Sequence, residues 1–122
     1  MTHPILQDFS RIIARLKEVL QKEKDDISRD SSIKRFELCF DLAWKAIKVF
    51  SKEKGVECYS PTDCFKSGYQ LKLIDNEAAW LEMVKARNET VHVYKEAKAE
   101  EVYAHLSKYV PLFEELLKKL KQ

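Results

Sequence analysis

The sequence predicts an all-α fold, an antiparallel bundle of four or five helices, and three observations carry that expectation. Its 122 residues include only 2 Gly and 3 Pro, too few to punctuate the many tight turns of a sandwich or barrel, whereas long helices need few breakers. Apolar residues recur at three- and four-residue steps through most of the chain, the period of a helix with one buried face. Hydrophobic residues make up 45% and charged residues 34% of the composition, which lies outside the range of disordered chains and is enough to build a core. Residues 1–122 therefore read as a single domain, with no repeat and no low-complexity segment.

Ile5, Leu6, Phe9, Ile12, Ile13, Leu16, Val19 and Leu20 line one face of a first helix from about Pro4 to Lys24, with the proline suited to its first turn. The polar run Asp25 to Asp30 breaks the period, and Asp30, Ser31 or Ser32 can cap a second helix that runs to Lys54, where Gly55 fits a left-handed stop. Ser60-Pro61-Thr62-Asp63 is a cap, a first-turn proline and an acid, opening a short third helix that Gly68 or the Leu73 to Asn76 stretch closes. Asp75 or Asn76 then caps a fourth helix bearing Trp80, Leu81, Met83, Val84 and Arg87, which the β-branched Thr90, Val91 and Val93 weaken beyond its end. A last helix of about twenty residues carries Val102, Leu106, Tyr109, Val110, Phe113, Leu116 and Leu120, and Pro111 inside it should bend or break it.

The second helix is apolar around most of its circumference, leaving a narrow polar stripe of Lys34, Glu37, Asp41, Lys45, Lys48 and Lys52. A small bundle cannot wrap a helix on every side, so this one is expected to pack on its own chain with one face and on a second copy, through its Trp44 or Phe40 side, with another. The 22 basic and 20 acidic residues give a net charge of +2, and no basic half or tail announces nucleic acid. Cys39, Cys58 and Cys64 form no C-x-x-C pair and match no zinc spacing, so all three are expected to be reduced packing residues. No apolar run is long enough to cross a bilayer, and the first residues lack a leader pattern. The expectation is a cytoplasmic protein with no membrane partner.

The chemistry-bearing segment is Lys85-Ala86-Arg87-Asn88-Glu89-Thr90-Val91-His92-Val93-Tyr94. Trp80, Met83 or Val84, and Arg87 follow one helical stripe, so Arg87 should point inward or into an interface, where a guanidinium requires partners; the alternative to any chemistry is that Arg87 makes a buried ion pair, for instance to Asp41 or Glu37, and His92 merely caps a helix. Five residues separate Arg87 from His92, about 140° apart on a continuous helix, so the two converge only where the helix ends between them. In an extended segment beyond that end, His92 and Tyr94 would share a side. An Arg and a His at such a break suit phosphodiester cleavage. Histidine titrates near neutrality and can move protons at a ribose 2′-hydroxyl or leaving 5′-oxygen, while a planar, permanent cation offsets phosphorane charge, with no metal needed.

Arg87-Asn88 followed by His92 and Tyr94 resembles the R-x4-H-x-Y signature of the HEPN superfamily, in particular the HepT-like toxins once called nucleotidyltransferase substrate-binding proteins. Arg29-Asp30-Ser31-Ser32-Ile33-Lys34-Arg35-Phe36-Glu37-Leu38 and Phe40-Asp41-Leu42-Ala43-Trp44-Lys45 are similar to that family's second-helix signature, and Ser60-Pro61 with its short helix also agrees. The resemblance implies a homodimeric HEPN-like bundle in which two Arg87/His92 pairs form one composite cleft, acting as a metal-independent endoribonuclease without a cofactor. Asn88 would support that cleft. The implied substrate is RNA, tRNA among the candidates. The implied partner is a minimal nucleotidyltransferase antitoxin that transfers AMP from ATP to Tyr94, placing phosphate charge and bulk where an RNA backbone must lie. An older description of the family makes the chain a non-enzymatic subunit that presents substrate to the nucleotidyltransferase.

Overall fold

A computed structural model describes residues 3–122, and these form five α-helices with no strand. Helix α1 spans Pro4–Leu20, and the Nδ1 atom of His3 caps it by accepting the Ile5 amide at 3.1 Å. It ends at Leu20 and not at Lys24, because Gln21 to Lys24 offers nothing apolar to bury. Helix α2 spans Asp26–Glu53 and begins earlier than Asp30, Ser31 or Ser32 would start it. The Asp25 carboxylate accepts the Ser28 amide at 2.7 Å, and Ser28 Oγ accepts the Asp25 amide at 2.9 Å, a reciprocal capping box with serine in place of the usual Glu or Gln. The Ser28 amide also holds the Asp25 carboxyl below its ordinary pKa. At the other end Gly55, with φ +82°, takes the left-handed conformation expected of it.

Helix α3 spans Pro61–Gln70, with Ser60 Oγ accepting the Asp63 amide at 3.2 Å. Gly68 does not close it. That residue is buried inside the helix where α3 crosses α2, and a Cβ there would lie 3.2 Å from Ile47 Cδ1, so its absent side chain serves close approach. The chain leaves α3 through Lys72 at φ 65°. Asn76 caps helix α4, Glu77–Glu89, by accepting the Ala79 amide at 3.0 Å. A single 3₁₀ turn, Thr90–His92, follows, and α5 spans Glu96–Leu120. It continues through Pro111, so the helix does not break there. The proline leaves a carbonyl four residues back at Ser107, on the exposed face where water can serve it.

Helix α2 lies at the centre, packed on α1, α3 and α5. Phe36, Phe40, Phe65, Trp80 and Phe113 form the middle of the core, with Phe65 and Trp80 ring centroids 4.8 Å apart. Most of the apolar circumference of α2 is therefore buried by its own chain. Phe40 is 2% exposed and is no surface for a second copy. Leu38, Leu42, Trp44 and Val49 remain exposed or half-buried. No helix among the described residues is long and apolar enough to cross a membrane.

The cysteines depart from expectation. Cys58 and Cys64 form a disulfide with their Cα atoms 5.1 Å apart. The Ser60-Pro61 cap folds the connector back over the first turn of α3 and brings together two residues that sequence spacing left apart. Cys39 alone keeps a thiol, and burial pushes its pKa up to about 12.

Candidate functional site at the end of α4

The site is built where α4 stops. Trp80 and Met83 bury one face of α4, and the same stripe carries Arg87 to the central helix. There its Nη1 lies 3.0 Å from Glu37 Oε2 and its Nε 3.6 Å from Asp41 Oδ1, the two acids one turn apart on the polar stripe of α2. Nη1 also donates to Thr90 Oγ1 at 2.9 Å. The contact to Asp41 is too long for a hydrogen bond, so Nε is buried without an acceptor. Among the described residues no hydrogen bond or ion pair is made by Nη2, and the side chain as a whole is 25% exposed.

The helix ends at Glu89, between Arg87 and His92, as convergence requires. The following segment is not extended, which corrects the expected reason for His92 and Tyr94 sharing a side. Thr90 to His92 is one 3₁₀ turn and Val93 stays near helical angles, closed by the Lys95 amide donating to the His92 carbonyl at 3.0 Å. The turn still brings the His92 and Tyr94 rings to a centroid distance of 6.2 Å, edge to face. His92 is exposed and Tyr94 is 77% exposed. Asn88 is also exposed, and no hydrogen bond of its side chain is found among the described residues. No hydrogen bond or ion pair joins Arg87 to His92. Beside the turn, Lys98 pairs with Glu89 at 3.0 Å and holds that carboxyl below its ordinary pKa.

Sequence reasoning missed two residues. Thr90, which the sequence marks only as a helix breaker, is 4% exposed and tied to Arg87. Arg29, which enters the sequence reading only within a motif, is 5% exposed. It donates to Glu96 in the first turn of α5 and to Asp30 at 3.0 Å, anchoring the chain just beyond Tyr94. Its guanidinium holds the Glu96 carboxyl below its ordinary pKa through their hydrogen bond. A lone buried cation demands acids, and that signal is present in the sequence for Arg29 as it is for Arg87.

Among curated proteins nothing matches the chain. A Thermus thermophilus protein of known crystal structure is 31% identical, with a TM-score of 0.87 over 93% of this chain and 99% of that one. A Haemophilus influenzae protein, whose structure is described as revealing the fold of a substrate binding domain of a nucleotidyltransferase, is 21% identical, with a TM-score of 0.85 over 96% of this chain and 99% of its own. That second likeness is one of fold. The family model described as nucleotidyltransferase substrate binding protein like matches residues 5–122, and the chain belongs to that family.

Proposed function

We propose that the chain is the toxin of a toxin-antitoxin pair, a metal-independent endoribonuclease whose Arg87 and His92 act on RNA and which a nucleotidyltransferase partner silences through Tyr94. The observation carrying this reading is the end of α4 at Glu89, which leaves Arg87 anchored by two carboxylates and His92 on an exposed turn. In the proposed step a ribose 2′-oxygen attacks phosphorus and the bond to the 5′-oxygen breaks, giving a cyclic phosphate and a 5′-hydroxyl. His92 imidazole takes the 2′-hydroxyl proton or, protonated, supplies one to the leaving oxygen. The free Nη2 edge of Arg87 meets the charge that builds on the phosphoryl oxygens. Glu37 and Asp41 hold the guanidinium, and Asn88 is assigned the support of the cleft.

The reading includes a homodimer. Leu38, exposed, and Leu42 and Val49, half-buried, follow one side of α2 at steps of four and seven residues, next to the acids that hold Arg87. Pairing that stripe with its copy would cover the apolar surface and bring two Arg87/His92 turns toward one two-fold axis. In the silencing step the Tyr94 hydroxyl oxygen attacks the α-phosphorus of ATP, loses its proton and expels pyrophosphate. The acceptor ring of that AMP stands 6.2 Å from the His92 ring, centroid to centroid. A second reading, a non-enzymatic subunit presenting substrate to the nucleotidyltransferase, is favoured by the family's own description. Incubating the purified chain with RNA in EDTA decides between them. The nuclease reading requires cleavage by the chain alone. The substrate-binding reading requires no cleavage, and partner activity that depends on the chain.

A further inference from the structure

Thr90 occupies the joint between the two residues on which the nuclease reading rests. Its hydroxyl makes two directed bonds, donating to the Arg87 carbonyl at 2.7 Å and accepting from Arg87 Nη1 at 2.9 Å. Its backbone amide also points to the Arg87 carbonyl, and the residue is 4% exposed. A hydroxyl has one proton to give, and here that proton goes to the Arg87 carbonyl in the last turn of α4, which the Thr90 amide also serves. The oxygen lone pairs consequently face the guanidinium. One side chain thus links the last turn of α4, at the start of the turn that carries His92, to the guanidinium that meets Glu37.

We infer that Thr90 is a positioning residue that couples the Arg87 guanidinium to the His92 turn. The inference rests on the nuclease reading for its kinetic consequence but not for its structural one. Valine at this position keeps the branched shape and removes the hydroxyl, whereas serine keeps the hydroxyl and removes a methyl. A purely space-filling role ranks valine above serine; the hydrogen-bonding role ranks serine above valine.

The test uses the full chain as Thr90→Val, Thr90→Ala and Thr90→Ser. The activity-free readout is the NMR spectrum of the Arg87 side-chain N–H groups and the His92 imidazole. Both hydroxyl-lacking variants should shift or broaden the Arg87 and His92 signals together, while Thr90→Ser keeps them near wild type. If the chain cleaves RNA, Thr90→Val should also lower kcat by about 10- to 100-fold with KM little changed, the size of effect expected when a reacting group is misplaced, and Thr90→Ser should restore it. Should valine fail to fold, alanine against serine gives the same comparison. Wild-type NMR signals in a folded variant lacking the hydroxyl, or a serine variant as perturbed as alanine, would overturn the coupling. Absence of wild-type cleavage would instead sink the nuclease reading and leave the NMR comparison decisive for Thr90.

Discussion

Tyrosine hydroxyls reach a second protein only where they stand clear of the bundle, and Tyr94, at 77% exposed, does so while Tyr109, at 3%, does not. Tyr59 is also exposed, but its hydroxyl is engaged, donating to Glu57, and that bond pushes its pKa up. Tyr94→Phe should therefore leave RNA cleavage largely intact and abolish AMP transfer from the partner, read as the mass of one AMP missing from the intact protein. Modification mapped to Tyr59 or Tyr103 would remove Tyr94 from the role. Thiol chemistry gives a second expectation at this scale. With Cys58 bonded to Cys64 and Cys39 buried and protonated, the folded chain should resist alkylation, and denaturation without reductant should release one thiol per chain. Three reactive thiols under those conditions would contradict the disulfide. The partners of Arg87 are legible in the sequence because its helical phase points inward and Glu37 and Asp41 share a stripe. The Thr90 hydroxyl and the Cys58–Cys64 bond are not, because each depends on how a connector folds back, which periodicity does not encode.

Elements are legible wherever a side-chain cap meets an apolar period. Ser60-Pro61 and Asn76 start α3 and α4 as expected, whereas α2 begins early because serine replaces the usual acid in its capping box. Gly68 looks like a stop because sequence shows a glycine and not the helix pressed against it. Gly68→Val, adding two methyl groups beyond a Cβ already 3.2 Å from Ile47 Cδ1, should lower stability by about 1–3 kcal/mol through overpacking, read as a lower denaturant midpoint; an unchanged midpoint would mean α2 and α3 separate freely. The Arg29–Glu96 pair ties α5 to α2. Its hydrogen bond lowers the folded pKa of Glu96 below the ordinary 4.5, so its contribution is present above that value and is lost as pH falls through the folded one. Glu96→Gln should consequently cost stability at neutral pH and progressively less in acid. A gap from wild type that is independent of pH would show that the pair contributes no charge interaction.

At the scale of the whole molecule, the chain buries most of the apolar surface of α2 that suggests a second copy in the sequence, and the case for a dimer contracts to the Leu38, Leu42 and Val49 stripe. Charge at that stripe, as Leu42→Glu, should dissociate the dimer in light scattering while the helical content stays constant; a wild-type chain that is monomeric at micromolar concentration would remove the composite cleft. Bulk charge is silent about RNA because acids and bases balance across the sequence. The central claim, that Arg87 and His92 make a metal-independent nuclease, meets its most direct test in RNA cleavage by the purified chain in excess EDTA, with Arg87→Ala and His92→Ala alongside. Wild type should cleave, EDTA should leave that cleavage unchanged, and each variant should lose it while staying folded. Cleavage that EDTA stops and a divalent metal restores, or that survives in both variants, would contradict that claim.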